Sequence, residues 1–373
     1  MRRSIFKKSN REVIGMKLKL DNDLCRQFGI RYPVFQAGMA GGPTTPELVA
    51  AVSKAGGLGT LGAAYMEPAA IRAAIADIRG RTSAPFAVNL FTASMEDDNR
   101  RTAEVQRTLD SIRDELGLPP ASPQAVQTPD HFERQFAEVL EAGVPVISTA
   151  FGVLSPRYME LAKSAGMKVV AMATTLQEAQ EAERAGCDAV VAQGSEAGGH
   201  RGTFNTDDRP MGANIGTFAL VPQIADRVSI PVIAAGGIMD GRGMVAAMVL
   251  GAQAVQMGTR FLTATESGAH PAYQAALLAS TEESTVLTKA FSGRPARGIA
   301  NAFVRKWDQT GVEPLPFPTQ NTATRDIRSA AARQNQAGYM SLWAGQATRM
   351  LKPGQSAADI MEETVRQALE ILE

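Results

Sequence analysis

Eight short runs of apolar, largely β-branched residues recur along this chain, and between them lie longer stretches whose apolar positions return at helical spacing. Parallel strands buried on both faces read as continuous apolar runs, and each needs a crossover helix to bring the chain back to the same end of the sheet. The runs occupy residues 33–37, 58–61, 86–90, 144–148, 168–172, 189–193, 232–235 and 254–257. Amphipathic stretches at 45–54, 68–79, 156–164 and 176–185 fill gaps between them, several opening on Thr or Pro and closing on Gly56, Gly166 or Gly186. Eight βα units between about residue 31 and residue 268 predict an α/β fold of the closed TIM (β/α)8 barrel type. An open doubly wound sheet would carry GxGxxG at its first strand–helix turn, which the stretch Gly38-Met39-Ala40-Gly41-Gly42 does not match.

Two segments break the rhythm. Residues 94–130 hold charged helical sequence and then a Pro-rich stretch around Pro119 and Pro120, predicting an extended loop after the third strand. Residues 269–335 carry Pro271, Pro295, Pro314, Pro316 and Pro318 among helix-like pieces, and predict a mainly helical cap inserted before the last barrel helix. The expected organisation is therefore an N-terminal extension over 1–20, a barrel over 21–268 and 336–373, and a substrate lid over 269–335. Because the cap follows the eighth strand, it is expected at the carboxyl end of the barrel, where such folds keep their chemistry.

Composition narrows the partners. Lys plus Arg and Asp plus Glu both number 38, so no global field recruits nucleic acid or an anionic membrane, and small molecules are the expected partners. Cys25 and Cys187 have neither metal-type spacing nor the density of a disulfide framework, which fits unpaired thiols and no metal site. The first 20 residues are basic but lack the continuous apolar stretch of a secretory signal, and nothing elsewhere approaches a membrane span. A cytoplasmic location is expected. The oligomeric state is left open, with a homodimer among the options.

The chemistry concentrates in the decapeptide from Gln193 to Gly202, which directly follows the sixth apolar run. It places His200 on backbone thinned by Gly194, Gly198, Gly199 and Gly202. Glycine permits close approach of main chain to a ligand, and imidazole is the side chain whose ordinary pKa suits proton transfer near neutral pH. A structural histidine is the competing reading, less apt in a glycine-flanked loop at a barrel mouth. Glu196 is read either as an acid or as an acceptor bracing the loop. His131 and His270 are read as structural or solvent-facing. Gly236 and Gly237 close the seventh strand, and Gly258 and Thr259 the eighth. In barrels that pair of loops often binds phosphate through bare backbone N–H groups and a helix terminus. The carboxamides of Asn89 and Gln193, also at strand ends, suit the edge of a heterocycle.

These residues carry a resemblance. The stretches 36–39, 88–90, 193–202, 231–238, 256–261 and 343–346 are similar to those of the nitronate monooxygenases, formerly called 2-nitropropane dioxygenases, from about residue 22 to the C-terminus. Flavin-dependent enoyl-acyl carrier protein reductases share a close version of the His-bearing motif, and Thr203-Phe204 after it favours the nitronate branch. The resemblance implies a tightly bound FMN contacted by Gly38, Met39, Asn89, Gln193, Gly198, Gly236, Gly237, Gln256, Met257, Gly258, Thr259, Gly345 and Gln346, with His200 as catalytic base. A lysine that some relatives place near the flavin has no counterpart at the end of the fifth strand, which closes on Met172. The implied reaction is oxidation of alkyl nitronates, and of nitroalkanes after His200 removes the α-proton, by FMN and O2 to a carbonyl compound and nitrite. The rival is an FMN-dependent NAD(P)H reductase of enoyl thioesters or quinones. Met39, Phe91, Phe151 and Phe204 are expected to line a modest apolar pocket.

Overall fold

The computed structural model describes residues 18–121 and 125–373; most of the expected N-terminal extension, residues 1–17, lies outside the described residues, as do 122–124 of the Pro-rich stretch. In chain order the strands are β1 Val34–Gln36, β2 Gly59–Gly62, β3 Phe86–Phe91, β4 Val146–Ala150, β5 Lys168–Ala173, β6 Ala189–Gln193, β7 Gly199–His200, β8 Val232–Ala235, β9 Ala254–Met257, β10 Thr285–Thr288 and β11 Ala296–Ile299. Eight of them form a parallel sheet in the order β1-β9-β8-β6-β5-β4-β3-β2. A parallel bridge between Phe35 and Leu58 joins the two ends, with Gln36 N–H donating to Leu58 O and Leu58 N–H to Val34 O, each at 2.9 Å. The TIM-type barrel read from the eight apolar runs is thus the architecture observed, and each run supplies one strand.

Inside the barrel, Phe35, Leu58, Ala87, Val170, Val191 and Ile233 pack with Leu24, Cys25 and Phe28 of helix Asp23–Phe28. The same cluster includes Val146, Ala189 and Ala254, the first residues of their strands. The helix therefore stoppers the amino end of the barrel and leaves the carboxyl end as the open one among the described residues. Outside, Ala357–Leu372 packs on helices Gly241–Val249 and Pro46–Lys54. A Cβ at Gly241 would stand 2.4 Å from Ala368 N, so only glycine admits that approach. Among the described residues no helix is long and apolar enough to cross a membrane.

The two segments that interrupt the sequence rhythm share one apolar core. Val105, Leu109 and Ile112 of helix Thr102–Glu115 pack with Phe291, Phe303, Trp307, Leu315 and Ile327 from the later segment. Besides helices, that segment contributes β10 and β11, which with β7 make a three-stranded antiparallel sheet. Arg113, whose side chain is 2 % exposed, bolts the two pieces together. Its Nε donates to Asp326 at 2.7 Å, its Nη1 to Asp110 at 2.9 Å and its Nη2 to the carbonyl of Ala323 at 2.9 Å. Hydrogen bonds involving a charged group contribute roughly 1.5–3 kcal/mol, and stranding partners adds to the loss. Arg113→Ala is expected to cost about 2–4 kcal/mol in urea unfolding and to speed proteolysis within 94–130; a loss below about 0.5 kcal/mol would show that the apolar core alone holds the pieces together.

Candidate active site

At the carboxyl end of the strands lies a cavity of about 460 Å³, roofed by the inserted segment. Gln193 ends β6, and the loop beyond it turns back so that Gly199 and His200 pair with Arg297 and Ala296 of β11. His200 is thereby gripped from both lobes. Its carbonyl accepts from Gln193 Nε2 at 2.9 Å, while the next residue's N–H donates to Pro295 O at 2.8 Å. The acceptor end of the Gln193 carboxamide is taken by Gly202 N–H at 2.8 Å. Gln193 lines the cavity, but much of its hydrogen bonding shapes the loop.

The imidazole sits in an aromatic frame, its ring centroid 5.3 Å from Trp343, 5.7 Å from Phe151 and 6.4 Å from Phe91. Phe151 adopts φ 74°, a left-handed backbone that a bulky residue takes only under constraint, and its ring lies 4.1 Å beneath the Arg294 guanidinium. Burial first, and then the positive charges of Arg294 and Arg328, push the His200 pKa down to about 3. Nε2 is 2.8 Å from Ser292 Oγ, which is in turn 3.2 Å from Arg294 O and 3.3 Å from Arg294 N. The carbonyl can only accept and the amide only donate, so every partner is satisfied when Ser292 donates to the carbonyl and accepts Nε2–H. That tautomer leaves the lone pair on Nδ1, which has no hydrogen-bond partner among the described residues.

Across the cavity, Gly236 and Gly237 adopt φ 119° and 70°, and Gly258 precedes the short helix Thr259–Leu262. The amides of Gly236, Gly237, Gly258 and Thr259 donate no hydrogen bond to any described residue. Bare amides from two adjacent strand ends are a donor set that suits a phosphate, so the residues present fit a mononucleotide. Glu196 settles its two readings in favour of the brace: its carboxylate accepts from Thr217 N at 2.9 Å and from Thr217 Oγ1 at 2.8 Å. Gly345 N–H donates to Thr259 Oγ1 and Gln346 N–H to Glu196 O, each at 3.0 Å, folding the 343–346 loop over the same wall.

Gly38, Met39 and Asn89 line the cavity from the ends of β1 and β3, Gln256 and Met257 from β9, and Gly198, His200 and Gly345 from the facing loops. Gln346 does not, although Gly345 and Ala347 on either side of it do. Phe204, expected in the pocket, is also absent from its wall, whereas Met39 and Phe91 are present with Phe151. Asn89 Nδ2 donates to Ser148 Oγ at 2.9 Å. His131 pairs with Glu67 at 3.1 Å, away from the cavity. His270 caps helix Pro271–Ala279, its Nδ1 accepting from Ala272 N, yet it also reaches the cavity wall. Sequence reasoning missed Ser292, Tyr65, Arg325 and Arg328. Ser292 gave no signal, being 92 residues from its partner; the two arginines could have been flagged as cations spaced one helical turn apart at a helix start.

Residues 22–367 match the family model described as nitronate monooxygenase. A protein named probable nitronate monooxygenase from Staphylococcus saprophyticus is 42% identical over 363 residues, covering 95% of this chain and 99% of its own. Among solved structures, nitroalkane oxidase from Streptomyces ansochromogenes superposes with a TM-score of 0.86 at 37% identity, over 93% of this chain and 98% of that one. FabK from Thermotoga maritima follows at 0.74 and 32%, over 95% and 98%. With a barrel, an imidazole at its mouth and near-complete coverage on both sides, the chain belongs to the nitronate monooxygenase family.

Proposed function

We propose that this protein is an FMN-dependent oxidoreductase that converts alkyl nitronates, and nitroalkanes by way of their nitronates, with O2 into a carbonyl compound and nitrite. The observation that carries the reading is the sharing of one cavity by an imidazole locked in its neutral form and a set of unpartnered backbone amides fit for a phosphate. The named functions of the relatives, a probable nitronate monooxygenase and a nitroalkane oxidase, support it.

Gly236, Gly237, Gly258 and Thr259 would hold the phosphate of FMN, and Gly38, Met39, Asn89, Gln193, Gly198, Gln256, Met257 and Gly345 are assigned to the rest of the cofactor; Gln346, off the cavity wall, is left out. When bound, FMN supplies the electron acceptance that none of these side chains offers. The protein's own share is proton chemistry and position. Nδ1 of His200 takes the α-proton of a nitroalkane, while Ser292 fixes the ring and the tautomer. Phe91, Phe151 and Trp343 exclude water around the ring, which keeps it neutral. A base of such low pKa is weak, but the cations that depress it also stabilise the negative charge gathering on the nitro oxygens. A nitronate that arrives already formed needs no base.

The likeness to FabK keeps a pyridine-nucleotide-dependent reductase as the rival reading. Anaerobic mixing with NADH separates the two, since rapid bleaching of a bound flavin would mark a reductase.

The purified protein is expected to be yellow and to release FMN on denaturation; a colourless protein that takes up no added FMN overturns the cofactor assignment. For His200→Asn, nitrite release from a neutral nitroalkane should fall by about 10²–10⁴ while oxidation of the preformed nitronate stays within about tenfold. Equal losses on both substrates would remove the base assignment. The base works deprotonated, and protonation begins only as pH nears the depressed value of about 3. Accordingly kcat/KM on a nitroalkane should show no acid limb between about pH 8 and pH 5, whereas an imidazole at its ordinary value would lose about tenfold by pH 5.5.

A further inference from the structure

Arg325 and Arg328 open helix Arg325–Arg333 one turn apart, and both line the cavity. Cations in the first turn oppose the positive end of a helix dipole, a local cost that a merely solvated face would avoid. Neither makes a direct ion pair among the described residues. Arg325 makes no ion pair or side-chain hydrogen bond among the described residues. Arg328 donates only to uncharged acceptors, the Asn321 carbonyl at 2.5 Å, Asn321 Oδ1 at 3.0 Å and the Thr324 carbonyl at 3.4 Å. The intervening Asp326 is turned away to Arg113 at 2.7 Å. Among the described residues Glu196 is the one carboxylate on the cavity wall, and it is spent on Thr217.

From this mouth an aromatic line leads inward. Tyr65, 38 % exposed, meets Phe91 edge-on at 5.4 Å, Phe91 meets Phe151 at 4.5 Å, and Phe151 meets His200 at 5.7 Å. Behind Phe151, Arg294 is 7% exposed, its Nε is buried with no partner, and its Nη2 donates to the carbonyls of Thr203 and Phe204. Arginines thus flank the route to the imidazole; Glu178, which acts on Arg294 electrostatically, accepts from the amides of Thr174 and Phe204 and makes no ion pair with Arg294 among the described residues.

We propose that Arg325 and Arg328 are specificity-determining residues, which draw a small anion into the chamber and hold its negative charge, favouring the ionised substrate over its neutral conjugate acid. The assignment rests on the reading of the cavity as a nitronate-oxidising site, and deepens it. A cleft of one sign with apolar walls focuses its field and raises the capture rate of an opposite charge, and salt weakens the effect. The exposed Arg325 governs capture, and the half-buried Arg328 holds the anion once it is inside.

The test uses the FMN-loaded protein and two isosteric probes, sodium propionate and propionamide, titrated by the fluorescence of Trp343, which lines the chamber. Propionate is expected to bind about tenfold or more tightly than the amide, with a preference that shrinks as salt rises from about 10 to 300 mM. Arg325→Gln and Arg328→Gln should each erase most of that preference while the amide's binding stays put, and Arg328→Lys should retain it. Replacement of the exposed Arg325 leaves the fold's core untouched, so its variant decides the matter if Arg328→Gln fails to fold. In turnover, the same variants should raise KM for ethylnitronate with a smaller change in kcat. Equal binding of the two probes, or glutamine variants within twofold of the parent, would overturn the assignment. If propionate is selected as expected but no nitronate yields nitrite, the anion wall stands and the proposed activity falls.

Discussion

Arg201 is the constraint on which the site depends. Its side chain is wholly buried, yet among the described residues no carboxylate bonds to it directly, Glu178 and Glu196 acting only electrostatically; Nη1 donates to Gly194 O at 2.6 Å and Nη2 to Gln193 O at 2.7 Å and Ala213 O at 3.3 Å. Its own N–H donates to Pro295 O across the lobe boundary. Desolvation lowers its pKa to about 10, which still leaves a full charge at neutral pH. A buried cation without a counter-ion is tolerated only where several dipoles point at it. Here those dipoles are the carbonyls of the loop it must shape, so the charge itself forces the 193–202 segment into its hairpin course. His200, one residue earlier, inherits a fixed position between the barrel and the inserted segment.

The insertion is thus part of the wall around His200. It supplies Ser292 to the imidazole, Arg294 to the ring of Phe151 and β11 to the backbone of β7. The barrel supplies the bare amides and the strand ends. Arg113, linking the loop after β3 to the helix that bears Arg325 and Arg328, carries mechanical continuity from one rim of the mouth to the other.

How much of this was legible in the chain follows from the range of each interaction. The eight barrel strands were readable because burial on both faces leaves a continuous apolar run, and the glycine turn after β8 because the left-handed backbone of Gly236 and Gly237 demands that residue. His200 stood out for its setting alone. By contrast β7 has two residues and no periodicity, so its pairing with β11 leaves no local trace. Ser292 is an ordinary serine until the fold carries it to within 2.8 Å of an imidazole. Phe204 was expected in the pocket from its place next to the motif; instead its N–H is held by Glu178 at 3.0 Å and its carbonyl by Arg294 at 3.3 Å, which turns the residue off the wall. Gln193 looked free for a heterocycle because sequence does not show that Gly202 and the His200 carbonyl engage its carboxamide.

The charge count misled in a more instructive way. With 38 basic and 38 acidic residues the protein has no net field, and that argued against polyanionic partners. Neutrality of the whole nonetheless says nothing of a cleft whose walls hold Arg325 and Arg328 against one already committed carboxylate. In an apolar, partly desolvated chamber such local excess acts at full strength, while the compensating acids on the surface are screened over about 10 Å or less. Arg328 does two things at once. After burial, and together with Arg294, it keeps His200 from taking a proton from water, and it lowers the energy of any negative charge placed beside it. Under the proposed function, a site built in this manner would give up base strength to gain affinity for anions, which is the trade expected of a pocket whose substrate can arrive ionised.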